Sequence, residues 1–329
     1  MGYQKDNYKR IRDEYATKAL DVQKEAFARR EELYREIPAV RELDTRLAGF
    51  GLRIMQAALR SGDTERAIAE LRAENERIMR ERGELLVQNG FPPDYSEPRY
   101  ECTACKDSGF VGIKMCSCMR LRLIEAGMES SGLGSLMRTQ SFDNFSLTYY
   151  QNNPEEHARM AQNYQNLRSY AETFSMEEGK RAPNSLLFFG GTGLGKTHLS
   201  TAIARKVIER GYDVFYNSAV GMISDFEFRR FGNGVAQSDG DNTARYTECD
   251  LLIIDDLGTE VINQFTLSCM YHVINTRLNL QKPTIISTNL SGAELRKSYT
   301  DRITSRLMGE YVVIPFYGTD VRKQKIQNK

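Results

Sequence analysis

The stretch Leu186-Leu-Phe-Phe-Gly-Gly-Thr-Gly-Leu-Gly-Lys-Thr-His-Leu199 constrains the fold of this chain more than any other. A short apolar run passes through a glycine-rich turn into an amphipathic segment from Thr197 to Arg210. Gly190, Gly195, Lys196 and Thr197 match G-x-x-x-x-G-K-[ST], a phosphate-binding loop set between a strand and a helix. Gly190, Gly191, Gly193 and Gly195 let the backbone curl until several N–H groups face one anion. A helix beginning near Lys196 aims the positive end of its dipole at the same anion. Lys196 is placed to reach the β- and γ-phosphates, and the Thr197 hydroxyl to ligate Mg²⁺. With Thr192, Leu194 and His198 completing the segment, residues 190–198 are the candidate nucleotide contacts. Such a loop by itself suits kinases, GTPases and motors equally.

From Ser185 onward, short apolar runs alternate with helical stretches. The runs are Leu186–Phe189, Val214–Asn217, Leu251–Ile254, Thr284–Thr288 and Tyr311–Phe316. This alternation predicts an α/β fold with a mostly parallel sheet flanked by helices. Leu251-Leu-Ile-Ile-Asp-Asp256 reads as a buried central strand that delivers two carboxylates to the phosphate edge of the sheet. Asp255 is the expected holder of Mg²⁺ through its water shell, and Asp256 the group that orients or deprotonates the attacking water. Many ATPases carry Glu at the second position; aspartate is one methylene shorter, which predicts slow hydrolysis. Asn289 closes the run Ile285-Ile-Ser-Thr-Asn289, where an amide can bond the γ-phosphate or the water; it also suits a cap on the turn at Ser291-Gly292. Arg302 and Arg306, four residues apart on one helical face, fit either surface ion pairs or charge stabilisation on a transferring phosphoryl group of a neighbouring subunit. Arg322 offers another guanidinium to a nucleotide in the same subunit. The polar, glycine-rich segment Phe231–Thr243 reads as a mobile loop. Arg229, Arg230 and Phe231 at its entrance suit either single-stranded nucleic acid or an ordinary helix end.

Residues 1–98 read as a charged helical domain. Ile11, Tyr15, Val22, Ala26 and Leu33 share one helical face, and Pro38 interrupts it. A second run carries Val40, Leu43, Leu47, Leu52, Ile54 and Met55. A third, capped by Asp63 or Thr64, carries Ile68, Leu71, Ile78, Leu85 and Leu86. This pattern fits a self-contained bundle and a docking module alike. Four of the six cysteines lie in the next element, residues 99–120. Cys102 and Cys105 form C-x-x-C, and Cys116 and Cys118 form C-x-C. The segment between the pairs holds Gly109, Gly112 and the apolar Phe110-Val111, and suits a short hairpin with a ligand pair at each end. Four thiolates predict a closed structural Zn²⁺ site, with an iron–sulfur cluster as the alternative. A helical linker fills 121–139, Phe142 and Phe145 are expected on the sheet edge, and a helix is expected over Pro154–Phe174. The net charge of +1 gives no global sign of nucleic-acid binding, so any such contact must come from a local patch. No apolar run approaches the ~20 residues of a membrane span. The charged start Met-Gly-Tyr-Gln-Lys-Asp lacks the apolar core of a secretory signal, and the expectation is a cytoplasmic chain.

Gly190–Leu199, Leu251–Asp256, Ser287-Thr-Asn289, Asp301–Arg306 and Gly318–Arg322 resemble the bacterial helicase-loader ATPases of the DnaC and DnaI type, within the AAA+ class. The resemblance covers about residues 140–329. It implies an AAA+ P-loop NTPase core that hydrolyses ATP to ADP and phosphate with Mg²⁺. Lys196 and Thr197 take the Walker A places, Asp255 and Asp256 the Walker B places, and Asn289 that of sensor 1. Arg306 takes the place of the arginine finger, with Arg302 beside it, and Arg322 that of sensor 2. The Cys102–Cys118 cluster resembles the cysteine-rich element of some DnaI-like loaders. Residues 1–98 are similar only in placement to the family's helicase-docking domain. The implied partners are a hexameric replicative helicase, single-stranded DNA, and further copies of this chain when ATP is bound, with no membrane. Residues 307–329 leave no room after Arg306 for a helical lid or a DNA-reading domain, which argues against a replication initiator. Transposition-helper ATPases of the IstB type share the core and imply a transposase and duplex DNA instead. A third reading is a nucleotide-gated adaptor with little hydrolysis.

Overall fold

Ile37 is extended, at φ −135° and ψ 82°, because Pro38 follows it. Proline lacks the N–H that a first helical residue leaves unpaired, so the chain breaks there and a new helix begins. The computed structural model describes residues 3–59, 64–177, 179, 182–231 and 242–327. Its chain divides into two units, residues 12–119 and residues 1–11 with 120–329. Asp63, an expected helix cap, and residues 232–241 of the expected mobile loop lie outside the described residues.

Four helices come first: α1 (Lys5–Glu36), α2 (Pro38–Ala48), α3 (Phe50–Ala58) and α4 (Thr64–Gln88). Leu33, Ile37, Val40 and Leu86 form one buried cluster, and Leu43, Phe50 and Ile78 another. Arg82 pairs with Asp44 at 2.6 Å in a largely buried position, and the Tyr34 hydroxyl donates to the same carboxylate at 3.1 Å. The second run of the sequence is two helices, divided at Gly49, rather than one. Leu52 and Met55, apolar members of that run, are 57% and 56% exposed. Periodicity marks a helical face without saying what covers it. The strands β1 (Phe110–Val111) and β2 (Lys114–Met115) then pair antiparallel, Phe110 opposite Met115, as the expected hairpin.

The second unit holds the sheet. The chain passes through α5 (Ser117–Ser130), α6 (Leu136–Thr139) and α7 (Pro154–Thr173), the last begun by Asn153, whose side chain accepts the N–H groups of Glu155 and Glu156. It then alternates: β3 (Leu186–Phe189), α8 (Lys196–Glu209), β4 (Val214–Ser218), α9 (Ala219–Phe231), α10 (Arg245–Glu248), β5 (Leu251–Leu257), α11 (Gln264–Asn279) and β6 (Thr284–Thr288). The last elements are α12 (Gly292–Ser298), α13 (Asp301–Gly309), β7 (Val312–Pro315) and α14 (Val321–Gln327). The sheet order is β4-β5-β6-β3-β7, every neighbouring pair parallel. Leu186, Phe188, Ile253 and Ile285 face one core, and Leu187, Leu252, Ile254 and Ile286 the other. Burial on both faces is why these strands read as unbroken apolar runs.

The edge strand β4 is covered. The Tyr216 N–H donates to the Ser131 carbonyl at 2.7 Å. Gly132 has φ +85°, and a Cβ there would meet the Tyr216 carbonyl at 2.3 Å, so only glycine brings the chain this close. Two expectations need correction. Phe145 meets His198 at the start of α8, and Phe142 and Phe145 both pack on Tyr164 of α7 rather than on the sheet edge. The run Tyr311–Phe316 is strand only over Val312–Pro315, and α14 follows it.

Candidate nucleotide-binding site

The loop after β3 is clamped from both sides. The Tyr150 hydroxyl donates to the Leu194 carbonyl at 2.9 Å, and the Val321 N–H to the Gly193 carbonyl at 3.0 Å. Gly193 has φ +76°, and a Cβ there would lie 1.9 Å from the Asp320 carboxylate. Gly195 has φ +85° and caps α8, with Tyr150 and Phe145 each 2.9 Å from where a Cβ would stand. Leu194 is buried in the core, which anchors the loop while Gly191 and Thr192 stay exposed at its tip.

Lys196 is 5% exposed, and its ammonium donates to the carbonyls of Gly190 and Gly191, both at 2.7 Å, and to Asn289 Oδ1 at 2.6 Å. Burial lowers its pKa; the charges of Asp256 and Asp255 oppose that, and Arg322 adds to the lowering. Thr197 and Tyr216 both donate hydroxyl protons to Asp255 Oδ2, each at 2.8 Å. Ser287 donates to Asp255 Oδ1 and accepts from the Asp256 N–H at 2.9 Å. The β5–β6 register slips between Ile254 and Leu257, and Asp256 stands at φ +54°. That bulge lets two successive carboxylates serve one site. Burial raises the pKa of Asp256, and so does the charge of Asp255; Lys196, Arg322 and the Asn289 amide oppose the rise.

Lys196, Thr197, Asp255, Asp256, Asn289 and Arg322 are thus brought to one edge of the sheet. His198 is turned elsewhere: its Nε2–H donates to the Ser141 carbonyl at 2.9 Å, and its ring meets Phe145 edge-on at 5.2 Å. Arg306 is engaged on α11, donating to Asn275 at 3.0 Å and to the Tyr271 hydroxyl at 3.2 Å, while Arg302 is exposed. Neither bonds a phosphate-loop residue among the described residues. Arg229 donates to Thr243, and the Arg230 guanidinium lies 5.3 Å from the Phe231 ring and 5.1 Å from that of Phe265. Sequence reasoning missed Tyr216 and Ser287. The only signal was a polar residue inside each of two apolar runs, and cross-strand register alone aims them at Asp255.

A model of the IstB-like ATP binding protein family matches residues 158–327. The chain belongs to that family. This IstB-like protein is similar to phage-like element PBSX protein XkdC of Bacillus subtilis, 27% identical over 242 residues, or 69% of this chain and 84% of that protein. It is similar to the replicative helicase loader DnaC of Escherichia coli, 28% identical over 142 residues, or 43% and 54% of the two chains. It is also similar to the chromosomal replication initiator DnaA of Aliarcobacter butzleri, 30% identical over 123 residues and 37% of this chain. It spans only 27% of that initiator's length and 32% of that of the Chlorobaculum tepidum initiator. Solved structures similar to it include the DnaC helicase loader, 21% identical with a TM-score of 0.45, covering 55% of this chain and 98% of that one. The structure of DnaI is 20% identical with a TM-score of 0.44, covering 56% and 92%. The family is an ATP-binding one, and the parallel sheet, P-loop and flanking helices of this member are those of an AAA+ core. No helix among the described residues is long and apolar enough to cross a membrane.

The unit of residues 12–119 carries the cysteines. The sulfurs of Cys102, Cys105, Cys116 and Cys118 all lie within 4.8 Å of one another. Cys102 and Cys116 are 3.8 Å apart and Cys105 and Cys118 3.5 Å, too far for a disulfide. Buried Asp107 accepts the N–H groups of Glu101 and Cys102, folding the first pair into a turn. Cys105 accepts an N–H from Gly109 and Cys116 one from Cys118; the latter draws the Cys116 thiol down to about 7, while burial raises those of Cys105 and Cys118. Four convergent sulfurs, two of them with an N–H donor behind, fit a tetrahedral, closed metal site. A hairpin of two-residue strands has too little core to hold itself. Metal analysis is therefore expected to return one zinc per chain, and Cys105→Ser to remove it and lower the melting temperature. Iron with visible absorbance would assign a cluster instead.

Proposed function

We propose that this protein is a helicase loader that uses ATP binding and hydrolysis to place or release a replicative helicase on single-stranded DNA. The observation that carries this reading is a nucleotide site gathered within one chain from Lys196, Thr197, Asp255, Asp256 and Asn289, while Arg306 is engaged on another helix. A site short of its arginine is suited to report whether a second copy has docked.

The chemistry of the donor set fits a magnesium nucleotide. Thr197 spends its proton on Asp255, so its oxygen keeps lone pairs for a cation. Bound Mg²⁺ would neutralise charge on the β- and γ-phosphates. Lys196 and the loop N–H groups hold the phosphates, Asn289 and Asp256 orient the attacking water, and Asp256 takes its proton. Arg322 reaches the nucleotide in the same chain, and Arg306 that of a neighbour, with Arg302 beside it. Residues 1–98 grip the helicase, residues 99–120 form a zinc element that stiffens the arm, residues 121–139 link it on, and residues 140–329 are the ATPase. The protein works in the cytoplasm, as a homo-oligomer when ATP is bound.

The similarity to DnaC supports the loader, whereas the family name supports a second reading, a transposition helper that binds duplex DNA and a transposase. Pull-down with the full-length chain and ATP separates them. Recovery of a hexameric helicase is expected; recovery of a transposase in its place overturns the loader.

A further inference from the structure

The Asp255 carboxylate is triangulated from three elements. It is 3% exposed, and its donors are Thr197 from α8, Ser287 from β6 and Tyr216 from β4. Thr197 belongs to the phosphate loop and Ser287 to the strand that also holds the Asp256 N–H. Tyr216 has no other assignment. Its main chain is fixed by the Ser131 carbonyl and by the close approach of Gly132. A rigid ring with two side-chain torsions then carries its hydroxyl 2.8 Å from Oδ2, the oxygen that Thr197 also uses. The phenol proton is spent on Asp255, so the remaining phenol lone pairs can accept a hydrogen bond from a metal-bound water.

We propose that Tyr216 is a positioning residue for the divalent cation, fixing the Asp255 carboxylate and receiving a hydrogen bond from the cation's water shell. This rests on the reading of the loop as a magnesium-nucleotide site. Outer partners of this kind orient a ligand that would otherwise turn, and their loss costs about tenfold or more in metal affinity. Tyr216→Phe deletes one hydroxyl and keeps the ring in the core.

The test is calorimetric binding of a non-hydrolysable ATP analogue to the full-length protein across a Mg²⁺ titration, with EDTA as the zero point. For Tyr216→Phe, half of the magnesium-dependent gain is expected at about tenfold more Mg²⁺, with unchanged affinity in EDTA and an unchanged melting temperature without nucleotide. A parent-like Mg²⁺ midpoint overturns the role of Tyr216 alone. An equal loss with and without Mg²⁺ makes the hydroxyl merely structural and also overturns it. A parent protein with no magnesium-dependent gain overturns the magnesium reading and this inference together.

Discussion

Lys196→Ala is expected to weaken nucleotide binding by more than an order of magnitude while leaving the fold in place. In the structure the ammonium is almost fully buried and bridges the two sides of the site, the Gly190 and Gly191 carbonyls and the Asn289 amide oxygen. Phosphate oxygens offer it stronger acceptors than these, because they carry negative charge and the carbonyl and amide oxygens do not. Removing one member of a buried, hydrogen-bonded charge pair costs about 2–5 kcal/mol. At about 1.4 kcal/mol per decade, affinity falls by roughly thirty-fold to several thousand-fold. A second loss adds to this: Asp255 and Asp256 stay in the site, and without Lys196 their charge faces the phosphates directly. The fold survives because Leu194, Leu199 and Ile203, not Lys196, pack the helix onto the sheet. Calorimetry with ATP, beside a circular-dichroism melt, checks both halves. Parent-like affinity in a folded variant sinks the placement of the nucleotide at this loop.

Much of this site is legible in the sequence alone. Each of the five parallel strands overlaps its apolar run, with ends that differ by at most three residues; β3, β5 and β6 are legible because a strand buried on both faces is written as an unbroken apolar run. Gly190–Thr197 were legible for a second reason: loop geometry, helix dipole and lysine reach fix residue types at fixed spacing. Asp255 and Asn289 follow from asking what stands at the same sheet edge, and Arg322 from the family resemblance. What stayed hidden depends on partners remote in sequence. Tyr216 is one such residue, since nothing in Val-Phe-Tyr-Asn-Ser says that the ring reaches across to β5. Phe142 and Phe145 are expected on the sheet edge, but their ring partners are Tyr164 and His198, which the packing of α7 against α8 brings together. Helix α14 lacks an apolar stripe, and its first N–H is held by the Gly193 carbonyl of the phosphate loop. Leu52 and Met55 fail in the opposite sense: a good periodic pattern with no cover.

Arg306→Ala is expected to lower ATP hydrolysis by about a thousandfold or more while ATP binding stays intact. Within this chain the guanidinium stacks 4.9 Å from the Tyr271 ring and donates to Asn275 and Tyr271, so α11 pre-orients it at the protein surface, with no bond to the phosphate loop. An arginine held this way is organised before it meets a phosphate, which reduces the entropy cost of placing it. Mixing separates action on a neighbour from action within the chain. Lys196→Ala chains bind nucleotide far more weakly but keep Arg306; Arg306→Ala chains bind nucleotide but lack the arginine. Each is inactive alone. Combined, they form interfaces where an intact loop meets an intact Arg306, and hydrolysis should return in part. If the mixture stays as inactive as its components although the two variants associate, Arg306 does not act across subunits. If Arg306→Ala alone keeps full activity, the arginine has no part in hydrolysis and its stack on Tyr271 is structural.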